Sequence, residues 1–206
     1  MASTPHTYVS VDEGADRQLS GITRSIASND VTQMEAAVTL PYIPTYTVVA
    51  GPIPLATASS HILQLLGSTI NRDLLRYIEV TQVGNAASAK QIEFELRRLD
   101  TAGTGGTSVT PNPVDPVDGA TTARGMTLPS SKGTEDELLA KRAGTVLTAP
   151  TAGHERVVRF GFNDDLTTKP LTIAAGATTG LALKNIQTDT TATVLVEACF
   201  QEVFWS

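Results

Sequence analysis

The stretch Gln91-Ile92-Glu93-Phe94-Glu95-Leu96-Arg97-Arg98-Leu99 sets Ile92, Phe94 and Leu96 on one face of an extended chain and Gln91, Glu93, Glu95 and Arg97 on the other. Side chains of a strand alternate between faces, so this pattern predicts an antiparallel strand with one side on a core and the other toward solvent. At about 3.3 Å per residue it would span about 30 Å, which is long for a strand.

Outward from this strand the period of two recurs. Upstream, Thr45-Tyr-Thr-Val-Val49 is aromatic and β-branched, and Gly51-Pro-Ile-Pro54 is predicted to stop it, because proline has no N–H to give to a ladder. His61-Ile-Leu-Gln-Leu-Leu66 and Leu74 to Val83 follow as strands, the second closed by the loop Gly84-Asn-Ala-Ala-Ser-Ala. Downstream come Val157 to Phe162, Leu171 to Ile173, Gly180 to Lys184 and Ala192 to Phe204. Short strands separated by Gly, Pro, Asn, Asp and Thr clusters predict an all-β fold over residues 45–206, an antiparallel, jelly-roll-like β-sandwich.

Three segments break the pattern. Residues 1–44 carry two thin helical stripes, Leu19, Ile22, Ile26 and Val31, Met34, Val38, with Asp30 and Gln33 placed to cap the second; they read as an extended N-terminal arm. Residues 100–133, rich in Gly, Thr and Pro, read as one long structureless loop, far beyond the usual connection of about 4 to 6 residues and therefore functional. Thr134-Glu-Asp-Glu-Leu-Leu-Ala-Lys-Arg-Ala-Gly144 pairs Thr134 with Glu137 as a capping box, puts acids first and bases last, and ends on glycine, so it predicts one short helix.

Composition bounds the function. With 206 residues, a net charge of −6 and 17% charged residues, the chain has no clustered Lys and Arg for gripping phosphates, which argues against nucleic acid as a partner. No apolar run approaches the ~20 residues of a membrane-spanning helix, so no membrane partner is expected. Met1 to Tyr8 lacks a basic region followed by an apolar one, so no secretory signal is expected there. Cys199 is the one cysteine, which rules out an internal disulfide.

The search for chemistry is mostly negative. His6, His61 and His154 share no ligand spacing, and Glu135-Asp136-Glu137 is explained by acids at a helix start. Asn163-Asp164-Asp165 lacks the glycine and distal glutamate of a calcium loop and reads as a turn. Gly103, Gly105 and Gly106 are followed by no Gly-Lys-Ser/Thr, so a phosphate cradle is not expected. Cys199 sits in a strand pattern, where an inert, partly buried thiol is expected. No catalytic residue, cofactor or metal is therefore expected, and the chain is not read as an enzyme.

A family resemblance gives a sharper expectation. Tyr77-Ile-Glu-Val-Thr-Gln-Val83, Glu95-Leu-Arg-Arg-Leu99, Thr101-Ala-Gly-Thr-Gly-Gly106 and Thr110-Pro-Asn-Pro-Val-Asp-Pro116 resemble segments of small virion-associated proteins of tailed bacteriophages. The resemblance resumes at Pro170 to Ile173 and Gly180 to Leu183 and closes on Thr193 to Glu197 with Gln201-Glu202; the N-terminal arm and Thr134 to Arg142 depart from it. It implies a structural protein of a bacteriophage virion, a capsid decoration or cement protein made in the bacterial cytoplasm and carried on the capsid surface. The implied partners are the major capsid protein and further copies of the chain, as a trimer. Arm and loop would supply the reach, ordering only on the particle, with Tyr8, Leu19, Ile22, Tyr42, Tyr46, Pro111, Pro113, Pro116 and Trp205 as contact residues. The alternative is a carbohydrate-binding tail or head-surface adhesin. Its stacking platforms would have to come from a chain with 5% aromatic residues, most of whose phenylalanines fall in strand patterns.

Overall fold

Ile92, Phe94 and Leu96 are fully buried while Glu93 and Arg97 are half-buried on the opposite face, so the strand forms as its alternation predicts, over Lys90–Leu99. The computed structural model describes residues 21–22, 35–36, 43–150, 155–162, 171–176 and 178–203. Two units are present, Met1–Tyr42 and Ile43–Ser206. In the first, β1 (Gly21–Ile22) pairs antiparallel with β2 (Glu35–Ala36). These residues are extended where the helical stripes were expected; Leu19, Ile26, Val31, Met34 and Val38 lie outside the described residues.

The second unit is all-β among its described residues. In chain order it contains β3 (Thr45–Pro54), β4 (His61–Leu66), β5 (Arg72–Gln82), β6 (Lys90–Leu99) and β7 (Thr107–Val109). There follow β8 (Asn112–Pro113), β9 (Arg124–Thr127), β10 (Glu135–Val146), β11 (Glu155–Gly161), β12 (Leu171–Ile173), β13 (Gly180–Asn185) and β14 (Thr193–Val203). They form two antiparallel sheets. One runs β10-β6-β13-β4-β9-β7; the other runs β11-β5-β14-β3-β8, with β12 also on β5. One apolar core joins them: Ile62, Leu63, Phe94, Leu96, Leu181 and Leu183 come from the first sheet, and Val48, Leu75, Ile78, Val196 and Phe200 from the second. The predicted two-sheet architecture is present.

Three local expectations are corrected. Residues 135–146 form a strand and not the short helix, pairing with β6 from Glu135 opposite Leu99 to Val146 opposite Lys90. The capping box loses because a helix of this length is marginal without tertiary support, whereas β6 offers a ladder and complementary charges. Lys141 Nζ lies 2.9 Å from Glu93, Arg97 Nε lies 3.3 Å from Glu135, and the Arg142 guanidinium sits 5.8 Å from the Phe160 ring centre.

Gly51-Pro52 does not end β3. The strand runs through a cis Gly51–Pro52 bond to Pro54 because Gly51 takes φ +145°, which suits glycine, opposite an irregularity between Val194 and Val196 in β14. The loop 100–133 is also not structureless. It contributes β7 and β9 to the first sheet and β8 to the second. Its polar backbone finds partners on both sheet edges, which its Gly and Pro content concealed.

Candidate interaction surface

The loop is fastened at its base and at its tip. At the base, Thr104 and Ser131 exchange backbone hydrogen bonds of 2.8 and 3.2 Å, and Thr101 Oγ1 accepts from Thr134 N–H at 2.8 Å. Gly103 packs so closely on Ser131 and Pro129 that a Cβ would lie 2.4 Å from the Ser131 carbonyl. Its N–H donates to the buried Gln64 side chain, so the glycines here serve close packing within the protein.

At the tip, Asn112 and Pro113 pair with Thr47 and Tyr46, and Val114 N–H donates to the Thr45 carbonyl at 2.8 Å. The Tyr46 hydroxyl donates to the Gly119 carbonyl at 2.9 Å. Thr122 Oγ1 then reaches the turn after β4, lying 2.8 Å from Ser68 Oγ and accepting from Thr69 N–H at 3.0 Å. Loop and turn are thus hydrogen-bonded to each other at the protein surface.

Three apolar side chains project from this surface. Val117 is 88% exposed, Ile70 76% and Val114 58%. Asp115 Oδ1 accepts from Val117 N–H at 3.0 Å, closing a turn that holds the Val117 backbone. An isolated exposed apolar residue is ordinary; three on segments linked through Thr122 make a candidate contact surface. Sequence reading missed them because each is a single β-branched residue among turn formers, in Ser68-Thr-Ile-Asn71 and Pro113-Val-Asp-Pro-Val-Asp118. Such residues carry no periodicity.

The expected contact residues fall differently. Tyr46 is 3% exposed and stacks on Phe200 with ring centres 5.6 Å apart, so it is a core residue that supports the surface from beneath. Pro111 is buried, Pro113 is half-buried in β8 and Pro116 is exposed beside the valines. Ile22 belongs to β1. Tyr8, Leu19, Tyr42 and Trp205 lie outside the described residues.

Beside the turn after β4 lies a buried acidic group. Asp73, fully buried, accepts from Ser68 N–H at 2.8 Å through Oδ2, and Asn71 Nδ2 donates to Glu202 at 3.2 Å. Burial pushes the Asp73 carboxyl up to about 7, against the Ser68 N–H and with the help of Glu202. The folded protein then holds a proton that the unfolded chain releases near pH 4, so stability falls as pH rises from about 4 through 7. Asp73→Asn keeps the acceptor for Ser68 and is expected to raise the melting temperature clearly more at pH 8.5 than at pH 5. Thermal denaturation at the two pH values checks this; an equal shift at both would refute it.

Among the described residues no group of three or more His, Cys, Asp or Glu side chains is arranged to hold a metal ion. Glu135, expected at a helix start, instead faces His61 at 2.9 Å and Lys184 at 3.0 Å. Cys199 is buried, and burial pushes its thiol up and away from the reactive thiolate form. His6, His154 and Asn163 to Asp165 lie outside the described residues. Comparison with family models, with curated proteins and with solved structures gives no match to the chain.

Proposed function

We propose that the chain is a structural protein of a bacteriophage virion, a decoration or cement protein that binds the major capsid protein and stabilises the head lattice. The observation that carries this reading is the surface of Ile70, Val114 and Val117, presented by the turn after β4 and by a loop that both sheets hold in place. A cement bound at many equivalent lattice positions needs a contact surface whose geometry is set before binding, since ordering a loop on docking subtracts from affinity. Apolar contact from backbone-fixed turns also makes attachment insensitive to salt, which suits a chain of modest charge.

In this reading the two sheets form a jelly-roll-like sandwich, and residues 1–44 act as an arm that adds a second contact to a neighbouring subunit. The protein self-associates as a trimer on the capsid surface, and neither nucleic acid nor membrane is a partner. Quantifying the protein in purified particles tests the assignment: hundreds of copies support a shell cement, and a dozen or fewer would reject it. Val117→Asp is expected to lower particle occupancy at least ~10-fold, equivalent to about 1.4 kcal/mol, because a carboxylate is desolvated where a valine docked. Its melting temperature should match that of the unaltered protein; unchanged occupancy would remove this surface from the contact.

A further inference from the structure

His61 is 1% exposed and Gln64 is fully buried, side by side on β4. The strand is irregular here, with Leu63 opposite Leu183 but His61 opposite Lys184. Ile62 and Leu63 both enter the core, and His61 lies with Gln64 under the base of the loop.

The hydrogen bonds fix every proton in this group. Gly103 N–H needs an acceptor and finds Gln64 Oε1 at 2.9 Å, which orients the amide. The Gln64 nitrogen then donates to the Lys132 carbonyl at 2.8 Å and to His61 Nδ1 at 2.7 Å. Nδ1 is therefore the bare nitrogen, and Nε2–H donates to Glu135 at 2.9 Å. Gly103 and Lys132 belong to the two strands of the loop base, so a neutral imidazole orients the one amide that ties both to β4.

We propose that His61 is an acid-release latch: a proton on Nδ1 unfastens residues 101–104 and 130–134 from the first sheet. The new N–H would face the Gln64 amide nitrogen, donor against donor. Turning the amide over relieves that contact, but sets its nitrogen against Gly103 N–H and its oxygen against the Lys132 carbonyl. The first arrangement leaves the new N–H buried against another donor, the second leaves Gly103 N–H and the Lys132 carbonyl without partners, and lifting the loop base to water relieves both.

The surrounding charges set the direction. Burial disfavours the imidazolium most strongly. Glu135 on β10 favours it, while Lys132 in the loop and Lys184 on β13 oppose it. Arg97 and Glu95 on β6 act through Glu135, which Arg97 meets at 3.3 Å and Lys184 at 3.0 Å. The balance holds His61 below the ordinary value of 6.5, so the folded chain binds the proton less readily than the unfolded one. The latch is at full strength above about pH 6.5 and weakens as pH falls through the folded value. Release would alter the seat of the loop that carries Val114 and Val117, making this a device for acid-dependent change at that surface.

Amide hydrogen exchange on the full chain at pH 8 and pH 5, normalised to intrinsic rates and combined with an NMR titration of the His61 ring, tests the latch. Protection at Gly103 is expected to fall at least ~10-fold at pH 5, equivalent to about 1.4 kcal/mol in the free energy of opening. Ile92 and Val196 should stay protected, and His61 should titrate below 6.5. His61→Gln keeps a donor and an acceptor without titrating and should remove the pH dependence at Gly103. Equal protection of Gly103 at both pH values, titration of His61 at or above 6.5, or the same pH dependence in His61→Gln would overturn the proposal. If that variant does not fold, the ring titration and the Gly103 exchange of the unaltered chain decide the matter.

Discussion

Replacing Asp189 with alanine is expected to destabilise the β domain by about 3 kcal/mol, the upper end of the range for leaving buried hydrogen-bond donors without their acceptor. The Asp189 side chain is fully buried in the turn between β13 and β14. Its Oδ1 accepts from the backbone N–H groups of Ala192 at 2.8 Å, Thr191 at 3.0 Å and Ala87 at 3.3 Å, and from the Thr191 hydroxyl at 3.2 Å. Its Oδ2 lies 3.2 Å from Lys90 Nζ. Alanine would leave these donors without their acceptor and the ammonium without its counterion. Asp189→Asn keeps the Oδ1 acceptor and loses only the charge, so it should fall between the two.

The same carboxylate predicts a pH dependence. Burial raises its pKa, but the Ala192, Thr191 and Ala87 N–H groups and Lys90 outweigh burial and hold it well below the usual carboxylate range. Its stabilisation is therefore complete above about pH 4, where the unfolded carboxyl is ionised, and is lost as pH falls toward the folded value. Urea denaturation of the three proteins at pH 7 and pH 3 checks both statements. An alanine variant within about 1 kcal/mol of the unaltered chain at pH 7 would show that the turn is held by other contacts.

How far the fold is legible depends on whether a residue's role is decided locally. Ile92, Phe94 and Leu96 are readable because alternation alone places them; β5 and β14 largely share that signal, and β4, β11, β12 and β13 are readable as short apolar runs bounded by turn formers, with only their ends displaced. Glu135 to Val146 are not, because local preference and tertiary pairing disagree there. Helix propensity is worth a few tenths of a kcal/mol per residue, whereas β10 completes a ladder of nine paired positions on β6. The long loop is illegible for a related reason. Thr107–Val109 and Asn112–Pro113 are too short to show a period, and each is a strand only because β9 and β3 present an edge to it.

The sequence singles out the loop of the candidate surface but not the residues it exposes. Pro111, Pro113 and Pro116 lie in that loop, yet its most exposed large apolar side chains are Val114 and Val117, and Ile70 comes from a turn more than 40 positions earlier. Thr122 joins the two turns through Ser68 and Thr69, and nothing in a linear reading connects them. Tyr46 shows the converse. An aromatic residue near the arm suggests an interface, but its position in β3 opposite Phe200 of β14 commits it to the core.

Replacing Gly144 with valine is expected to destabilise the domain by about 3 kcal/mol, at the upper end of the usual range for overpacking. Gly144 lies in β10 opposite Ile92, where β10 of the first sheet passes β11 of the second. A Cβ at this position would stand 2.0 Å from the Val157 carbonyl oxygen and 2.6 Å from its carbonyl carbon. Both are backbone atoms, so no side-chain rotation relieves the clash, and either β10 must leave β6 or β11 must shift. Moving β11 would loosen its pairing with β5 and uncover Val157, Val158 and Phe160, which belong to the shared core. The damage should therefore be registered in both sheets at once, with exchange at Phe160 and Ile92 rising together in the variant. Alanine, whose Cβ makes the same backbone contact, should reproduce most of the loss, since the first carbon and not the branch is what the corner excludes. If Gly144→Ala folds with the stability of the unaltered chain, the two sheets do not approach this closely at the β10–β11 corner, and the account of how this edge is closed fails with it.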